Sequence, residues 1–189
     1  KEEISAFLEA FGKRFETDGN SNGDRRKSFL YHKDFIPATI LGRCSDFLKV
    51  LFRPWLMGTV VTVFAGLEAV YFLHYRMMEQ TPVSIYLIAA LYLFMALSSL
   101  VHEFGHAAAC RYYGMPHGNI GLGLYLNLPV FYTDVTQVWK LSRRQRCVVN
   151  FGGVYFQMLL LIPLLTAAII SGNGLLDYMI LLMNFNFAL

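Results

Sequence analysis

The chain has 189 residues, of which 56% are hydrophobic and only 15% are charged, with a formal net charge of +3. Soluble domains are on average about a quarter charged, so this composition excludes an ordinary soluble globular protein. The lipid bilayer is the predicted partner, and no nucleic-acid partner is predicted.

Residues 1–54 are polar and charged, and they are predicted to form a cytoplasmic N-terminal segment. A short amphipathic helix is expected first, docking on the membrane, on a partner or on a small domain of its own. Residues 17–28 are turn-rich and charged, which indicates a linker. Residues 43–53 are basic and partly apolar, as in a juxtamembrane segment. The apolar residues at helical spacing in the first helix are Ile4, Phe7, Leu8, Phe11 and Phe15.

Residues 55–189 are predicted to be a membrane core, because a span needs roughly 20 apolar residues to cross about 30 Å of hydrocarbon. The predicted fold is mainly α, a polytopic helical membrane protein with three to four transmembrane helices. Glu68 interrupts the first span, so we expect it to face protein, and a surface helix is the alternative there. Pro163 predicts a kink in the third span. The predicted spans are about 55–75, 83–110, 148–170 and 175–189.

The distribution of Lys and Arg orients these spans. Basic residues are concentrated in residues 1–54 and in the connection 111–147, and few lie in the other connections. By the positive-inside rule, the N-terminus and the 111–147 connection are cytoplasmic.

Residues 114–132 (GMPHGNIGLGLYLNLPVFY) are unusually apolar for a connection. Their spaced glycines and alternating apolar residues predict a short membrane-associated hairpin. Irregular backbone at membrane depth must be buried in protein or line a wet cavity. An exposed edge of this hairpin could pair with an extended substrate peptide. A plain packing loop is the alternative.

The cysteines Cys44, Cys110 and Cys147 show no CxxC spacing. An odd number of cysteines cannot all pair within one chain. We expect unpaired structural thiols in a reducing compartment.

The most informative motif is His102-Glu103-Phe104-Gly105-His106, at the end of the second span. Residues four apart share a helix face, so both histidines can direct a ring nitrogen at one metal ion. Glu103 lies one step round the helix, where it can take a proton from a water molecule at that metal. The motif therefore predicts a Zn²⁺ site with two histidine ligands and a glutamate base. A chance polar cluster at headgroup level is the alternative.

A catalytic zinc ion usually has three protein ligands and one open position. Asp134 and His117, both in the 111–147 connection, are candidates for the third ligand. The alternative for Asp134 is a loop carboxylate paired with an arginine. The alternative for His117 is a solvated loop histidine. Tyr112 stands where the extended HExxHxxGxxH pattern has its third histidine, which excludes that class. Asp177 lies on the opposite side in the predicted topology.

A span ending in HExxH, a glycine-rich apolar connection and a later span opening with a Gly motif resemble the site-2 protease type of intramembrane zinc metallopeptidase. The sequence YTDVTQVW and the arginine-rich stretch after it resemble the branch associated with bacterial peptide maturation and export. The resemblance covers about residues 85–189. It implies an integral protein of the bacterial cytoplasmic membrane.

In that family the later span often carries Gly-Pro-x-x-Asn, and Gly153, Val154 and Gln157 occupy similar positions here. The resemblance implies substrate contact by Gln157, whereas Val154 in place of proline keeps a buried packing residue as the alternative. The family's third ligand is the Asp of an Asn-Pro-x-x-x-x-Asp-Gly motif. Residues 183–189 are similar to the approach to that motif. The resemblance therefore implies a third ligand beyond Leu189 and a membrane core that is incomplete at its C-terminus.

The predicted function is an intramembrane zinc metalloendopeptidase that hydrolyses peptide bonds of peptide or membrane-protein substrates near the cytoplasmic face. One alternative is a catalytically inactive homologue that serves a peptide export system as membrane scaffold or substrate receptor. A second is a metal carrier, for which Glu68 and His74 are the further intramembrane ligands on offer. No oligomeric state follows from the sequence.

Overall fold

A computed structural model describes residues 31–74, 82, 84–125 and 128–188. The predicted amphipathic helix over Ile4–Phe15 and the linker 17–28 lie outside the described residues. The described elements, in chain order, are strand β1 (Tyr31–Ile36), helix α1 (Ala38–Leu48), a 3-10 turn (Lys49–Phe52), helices α2 (Pro54–His74) and α3 (Ile85–Tyr112), strands β2 (Ile120–Tyr125) and β3 (Leu128–Thr133), a second 3-10 turn (Thr136–Lys140), and helices α4 (Arg143–Ser171) and α5 (Gly174–Ala188).

Three of these helices have the length and hydropathy to cross a membrane. They are Pro54–Leu73 within α2, the whole of α3 and the whole of α4, with 20, 28 and 29 residues. Helix α5 is apolar but shorter. The mainly helical architecture with three to four apolar spans is therefore confirmed, and it indicates a membrane protein.

Helix α4 begins earlier than the sequence analysis predicted. Ser142 and Gln145 form a capping box, in which each side chain bonds the backbone N–H of the other residue. This cap starts the helix at Arg143, so the arginines up to Arg146 occupy its first turn. The helix therefore includes the last residues of the predicted connection, and the start of the span itself stays a prediction. Pro163 lies inside α4, which ends at Gly172 with φ 61°, a left-handed conformation that glycine adopts without strain.

The predicted hairpin is confirmed as β2 and β3, and it belongs to a larger sheet. Strand β1, which the sequence analysis did not predict, pairs antiparallel with β2, in the order β1-β2-β3. Asp34, Gly121 and Tyr132 form one row across the three strands. The Tyr132 ring lies over Gly121, where a side chain would overlap it, and the Tyr132 hydroxyl donates to Asp34 Oδ1 at 2.5 Å. This contact ties β1 to β3.

Helix α3 is packed on two faces. On one face Leu100, Phe104 and Ala107 pack against Leu41 of α1 and Ile120 of β2. The other face meets α4 so closely that a Cβ on Gly105 would overlap the carbonyl oxygen of Gly152. Small residues at a helix–helix contact allow this approach within membranes. The domain boundary at residue 54 stays a prediction, although β1 and α1 pack directly on the membrane core.

Helices α2 and α5 are joined by polar contacts. Asn184 Nδ2 donates to both carboxylate oxygens of Glu68, at 3.2 and 3.3 Å. The Tyr71 hydroxyl donates to Asp177 Oδ1 at 2.8 Å. The prediction that Glu68 faces protein is confirmed.

The three cysteines are free, as predicted. Cys110 is buried, whereas Cys44 and Cys147 are exposed.

Candidate metal centre

His102, Glu103 and His106 come together near the end of α3. One potential ligand atom from each residue lies within 4.8 Å of those of the other two. The Nε2 atoms of the two histidines are 3.0 Å apart. The helical spacing predicted from the sequence therefore produces a cluster of convergent donor atoms.

The outer nitrogen of His106 is held by helix α4. Its Nδ1 donates a hydrogen bond to the backbone carbonyl of Val149 at 2.8 Å. A carbonyl oxygen can only accept, so in the neutral ring the proton is on Nδ1 and the lone pair is on Nε2. That lone pair is directed towards His102.

The outer nitrogen of His102 ends a chain of buried hydrogen bonds. The Ser98 hydroxyl lies 2.9 Å from the sulfur of Met183, and a thioether has no proton to donate, so Ser98 donates. Gln157 Nε2 then donates to Ser98 Oγ at 3.0 Å, which leaves Gln157 Oε1 to accept from His102 Nδ1 at 3.1 Å. Met183 therefore fixes the direction of every hydrogen bond in this series. As a result, His102 carries its proton on Nδ1 and a lone pair on Nε2.

These donor atoms suit a cationic ligand. Two lone pairs that face each other at 3.0 Å repel unless a cation lies between them. Two nitrogen ligands of a tetrahedral zinc ion are about 3.3 Å apart, for Zn–N bonds of about 2.05 Å. Hydrogen bonds from the outer nitrogens to a carbonyl and an amide also orient metal-binding histidines in known sites. The residues present therefore fit Zn²⁺.

Gly153 leaves room for the His102 ring, because a Cβ at this position would overlap the ring atoms. Gln157, one turn later on α4, is only 4% exposed, and both ends of its amide are hydrogen-bonded. The structure thus favours the buried alternative for Gln157, with the added role of orienting His102. Sequence reasoning missed this role because it depends on the register between α3 and α4.

Thr133, the last residue of β3, lies against the Glu103 carboxylate with its hydroxyl and its backbone N–H. The hydroxyl is buried and closes no hydrogen bond of standard geometry. An unpaired buried hydroxyl beside a candidate base is a donor available to the site. The sequence carried no signal for this contact, because it depends on how β3 packs on α3.

Asp134 and His117, the two candidates for the third ligand within the 111–147 connection, do not join the cluster. Asp134 Oδ1 accepts from the backbone N–H and the hydroxyl of Thr136, the first residue of the second 3-10 turn, at 2.9 and 2.5 Å. His117 Nδ1 donates to the carbonyl of the adjacent Gly118 at 3.0 Å. Both side chains are used in local turns.

Over the ranges that the structure describes, no further His, Cys, Asp or Glu completes this group, and it is the one candidate metal cluster. A third ligand beyond Leu189 stays a prediction. Met183 contacts Ser98, one helical turn before His102, so the end of α5 lies near the level of the cluster.

No protein-family model matches the chain, and no solved structure matches it. The chain is similar to the "Putative peptide zinc metalloprotease protein YydH" of Bacillus subtilis (strain 168), with 26% identity over 70 residues. The matched segment covers 36% of this chain and 28% of that relative. This similarity, together with the His-Glu-His cluster, fits a metalloprotease-like protein.

Proposed function

We propose that this protein is a membrane-embedded zinc metalloendopeptidase of the site-2 protease type, which cleaves peptide or membrane-protein substrates near the cytoplasmic face. The observation that carries the proposal is the convergence of two histidine Nε2 atoms and the Glu103 carboxylate on one point. The long apolar helices and the similarity to a peptide zinc metalloprotease support it.

The residues of the cluster take distinct roles. His102 and His106 would hold the metal through Nε2. Bound zinc supplies Lewis-acid polarisation of the scissile carbonyl and acidifies the attacking water. Glu103 accepts the proton of that water on its carboxylate and returns it to the nitrogen of the leaving amine. The unpaired hydroxyl of Thr133 is available to donate to the carboxylate and hold it towards the reacting atoms.

An extended peptide is the substrate conformation that the sheet supports. In the described sheet β3 is an edge strand that pairs only with β2, and it contains Pro129, a residue tolerated at sheet edges. Thr133, at the end of β3, lies against Glu103. A peptide that added to β3 through backbone hydrogen bonds would therefore run towards the site.

The basic residues support a cytoplasmic location for this end of the bundle. Arg43, Lys49 and Arg53 precede α2. Lys140 ends the second 3-10 turn, and Arg143 begins α4. The C-terminal end of α3, which carries the cluster, lies at the same end of the spans. The positive-inside rule places such an end in the cytoplasm.

The decisive experiment is Glu103→Gln in the full-length protein in lipid nanodiscs, assayed for zinc content and for cleavage of a peptide library by mass spectrometry. We expect unchanged zinc and a loss of turnover of about 10²–10⁴-fold, because the variant keeps the ligands and removes the base. Glu68→Gln makes the same chemical change at a paired carboxylate of α2 and should leave cleavage intact. Cleavage at the wild-type rate by Glu103→Gln would exclude the mechanism.

The alternative function, an inactive scaffold or substrate receptor for peptide export, keeps the same fold and the same cluster. The wild-type protein in the same assay distinguishes this function from the peptidase. Zinc binding without cleavage of any library peptide would favour the receptor, whereas cleavage that depends on Glu103 would exclude it.

A further inference from the structure

A cleft of about 610 Å³ lies between the first 3-10 turn and the C-terminal end of α3. Its polar lining is formed by Asp46, Lys49, Arg53 and Arg111, and its apolar lining includes Phe47 and Val50. None of the cluster residues His102, Glu103 and His106 lines it, so it is separate from the candidate metal centre.

Both tryptophans of the chain mark the depth of this cleft. Trp55, in the first turn of α2, is 64% exposed, and Trp139, just before α4, is 67% exposed. The Arg146 guanidinium lies 5.0 Å from the centre of the Trp139 ring. Tryptophan is enriched at the boundary between hydrocarbon and headgroups. Arg53 immediately precedes α2, so the cleft lies at headgroup level.

Helix α1 presents two different faces beside the cleft. Leu41 and Ser45 are fully buried, and Leu41 packs against α3 and the sheet. Ile40, Cys44 and Phe47 share a second face and are exposed, with Phe47 at 80%. A helix with an exposed apolar stripe beside basic residues is suited to lie in the membrane interface.

The cleft carries an excess of positive charge. Asp46 accepts from Lys49 Nζ and from Arg111 Nε, each at 3.1 Å, and also from Arg111 Nη2. The Arg111 guanidinium, followed by the Lys49 ammonium, lowers the pKa of Asp46 to about 2, so the carboxylate stays charged. One anion therefore faces two cations, and Arg53 makes no ion pair within the described part of the chain.

We propose that this cleft binds the phosphate headgroup of an anionic phospholipid. Its volume lies within the range of about 300–1,000 Å³ that is usual for small-molecule sites. Lys49 and Arg53 provide cations for the phosphate, and the apolar stripe of α1 lies beside the acyl chains. Charge complementarity and headgroup depth together select an anionic lipid over a neutral one.

The test uses the full-length protein in bilayers of phosphatidylglycerol and phosphatidylcholine, with spin-labelled lipids as probes. The measured quantity is the preference of the protein-bound lipid fraction for phosphatidylglycerol. Arg53→Gln, which breaks no ion pair among the residues that the structure describes, should lower this preference roughly threefold to fivefold. Lys49→Gln combined with Arg53→Gln should lower it further. Raised salt should weaken it in the wild type.

The matched control is Arg143→Gln combined with Arg144→Gln, which removes two exposed cations at the same end of the bundle but outside the cleft. We expect this control to keep most of the preference. Equal losses in the two double variants, or no preference in the wild type, would overturn the proposal. Thermal unfolding of each variant in the same bilayers checks that the fold is kept.

A competition distinguishes the headgroup from free phosphate. Inorganic phosphate and chloride are added in separate samples at equal ionic strength. We expect both salts to act equally on the bound labelled lipid. Specific release by inorganic phosphate would show a site for soluble phosphate and would overturn the lipid assignment.

Discussion

Two groups of polar side chains in the apolar bundle are arranged differently. Between α2 and α5, both carboxylate oxygens of Glu68 accept hydrogen bonds from the Asn184 amide, and Asp177 accepts one from the Tyr71 hydroxyl. In the cluster on α3, the outer nitrogens of both histidines are bonded, while their inner nitrogens face each other. Between α2 and α5, the polar groups hydrogen-bond each other. In the cluster, the inner ring nitrogens keep their lone pairs, and these are directed at a common point.

The difference shows that a polar residue within a span does not by itself indicate a ligand site. Glu68 is as unexpected in an apolar helix as His102, but both of its carboxylate oxygens accept from Asn184, whereas His102 keeps one ring nitrogen for the cluster. The packing differs too. The cluster lies where α3 and α4 approach through glycines, and this close approach lets the backbone of α4 bind His106 directly. A metal site requires donors that converge and remain available.

We expect the largest loss of zinc affinity at the cluster from Gly153→Ala. The added methyl overlaps the His102 ring and pushes Nε2 away from His106. We expect zinc affinity to fall by about 100-fold, measured by competition with a fluorescent chelator. Gly66→Ala in α2 is the control, because a Cβ there has open space. Equal zinc affinity in the two variants would show that the ring position is not set by Gly153.

The next effect comes from Gln157→Leu, which removes the acceptor of His102 Nδ1 and the donor to Ser98. We expect roughly tenfold weaker zinc binding, because the ring loses its fixed tautomer and orientation. Gln157→Glu keeps an acceptor at this position and should restore most of the affinity. Failure of that rescue, with the fold intact, would assign Gln157 to packing alone.

A smaller effect is expected from Thr133→Val, which removes the unpaired hydroxyl and keeps the shape of the side chain. With zinc saturating, we expect kcat to fall by about tenfold or less and zinc affinity to stay the same. Thr133→Ser keeps the hydroxyl and should retain most of the activity. A valine variant with wild-type kcat would show that the hydroxyl does not act on Glu103.

We expect the smallest effect from Glu68→Gln, which changes the polar contacts between α2 and α5. The amide keeps an oxygen that can accept from Asn184, so stability should change by no more than about 1 kcal/mol. Zinc affinity should be unchanged. Thermal unfolding in nanodiscs and the chelator competition measure the two quantities. A loss of zinc affinity in this variant would show that the α2–α5 contacts contribute to metal binding at the cluster.

The spans and the HExxH cluster could be predicted from the sequence because each depends on local pattern. Apolar length fixes a span, and a spacing of four residues fixes a helix face. The start of α4 was also readable, since Ser142 and Gln145 have the spacing of a capping box. That signal was missed because the arginines between and after them look like a polar connection.

The parts that could not be predicted depend on contacts between distant residues. Strand β1 is short and only half apolar, and it becomes a strand because β2, over 80 residues later, supplies its hydrogen bonds. Gln157 and Thr133 reach the cluster only through the packing of α4 and β3 on α3. Asp134 stayed a candidate because a carboxylate in a connection can bind a metal ion or bond a nearby backbone N–H. The structure shows the second case, in which Asp134 accepts from Thr136, two residues later.

The pairing of β1 with β2 has a consequence for biogenesis. Lys33 pairs with Leu122, and α2 and α3 must both be synthesised before the two strands can meet. At about 5–20 residues per second, translation separates them by roughly 5–20 seconds. Val149 and Gln157, which set the tautomers of the two histidines, emerge from the ribosome later still. A nascent chain therefore carries the complete HExxH sequence well before the two histidines acquire their α4 partners, so the proposed hydrolytic activity would begin only once α4 is in place.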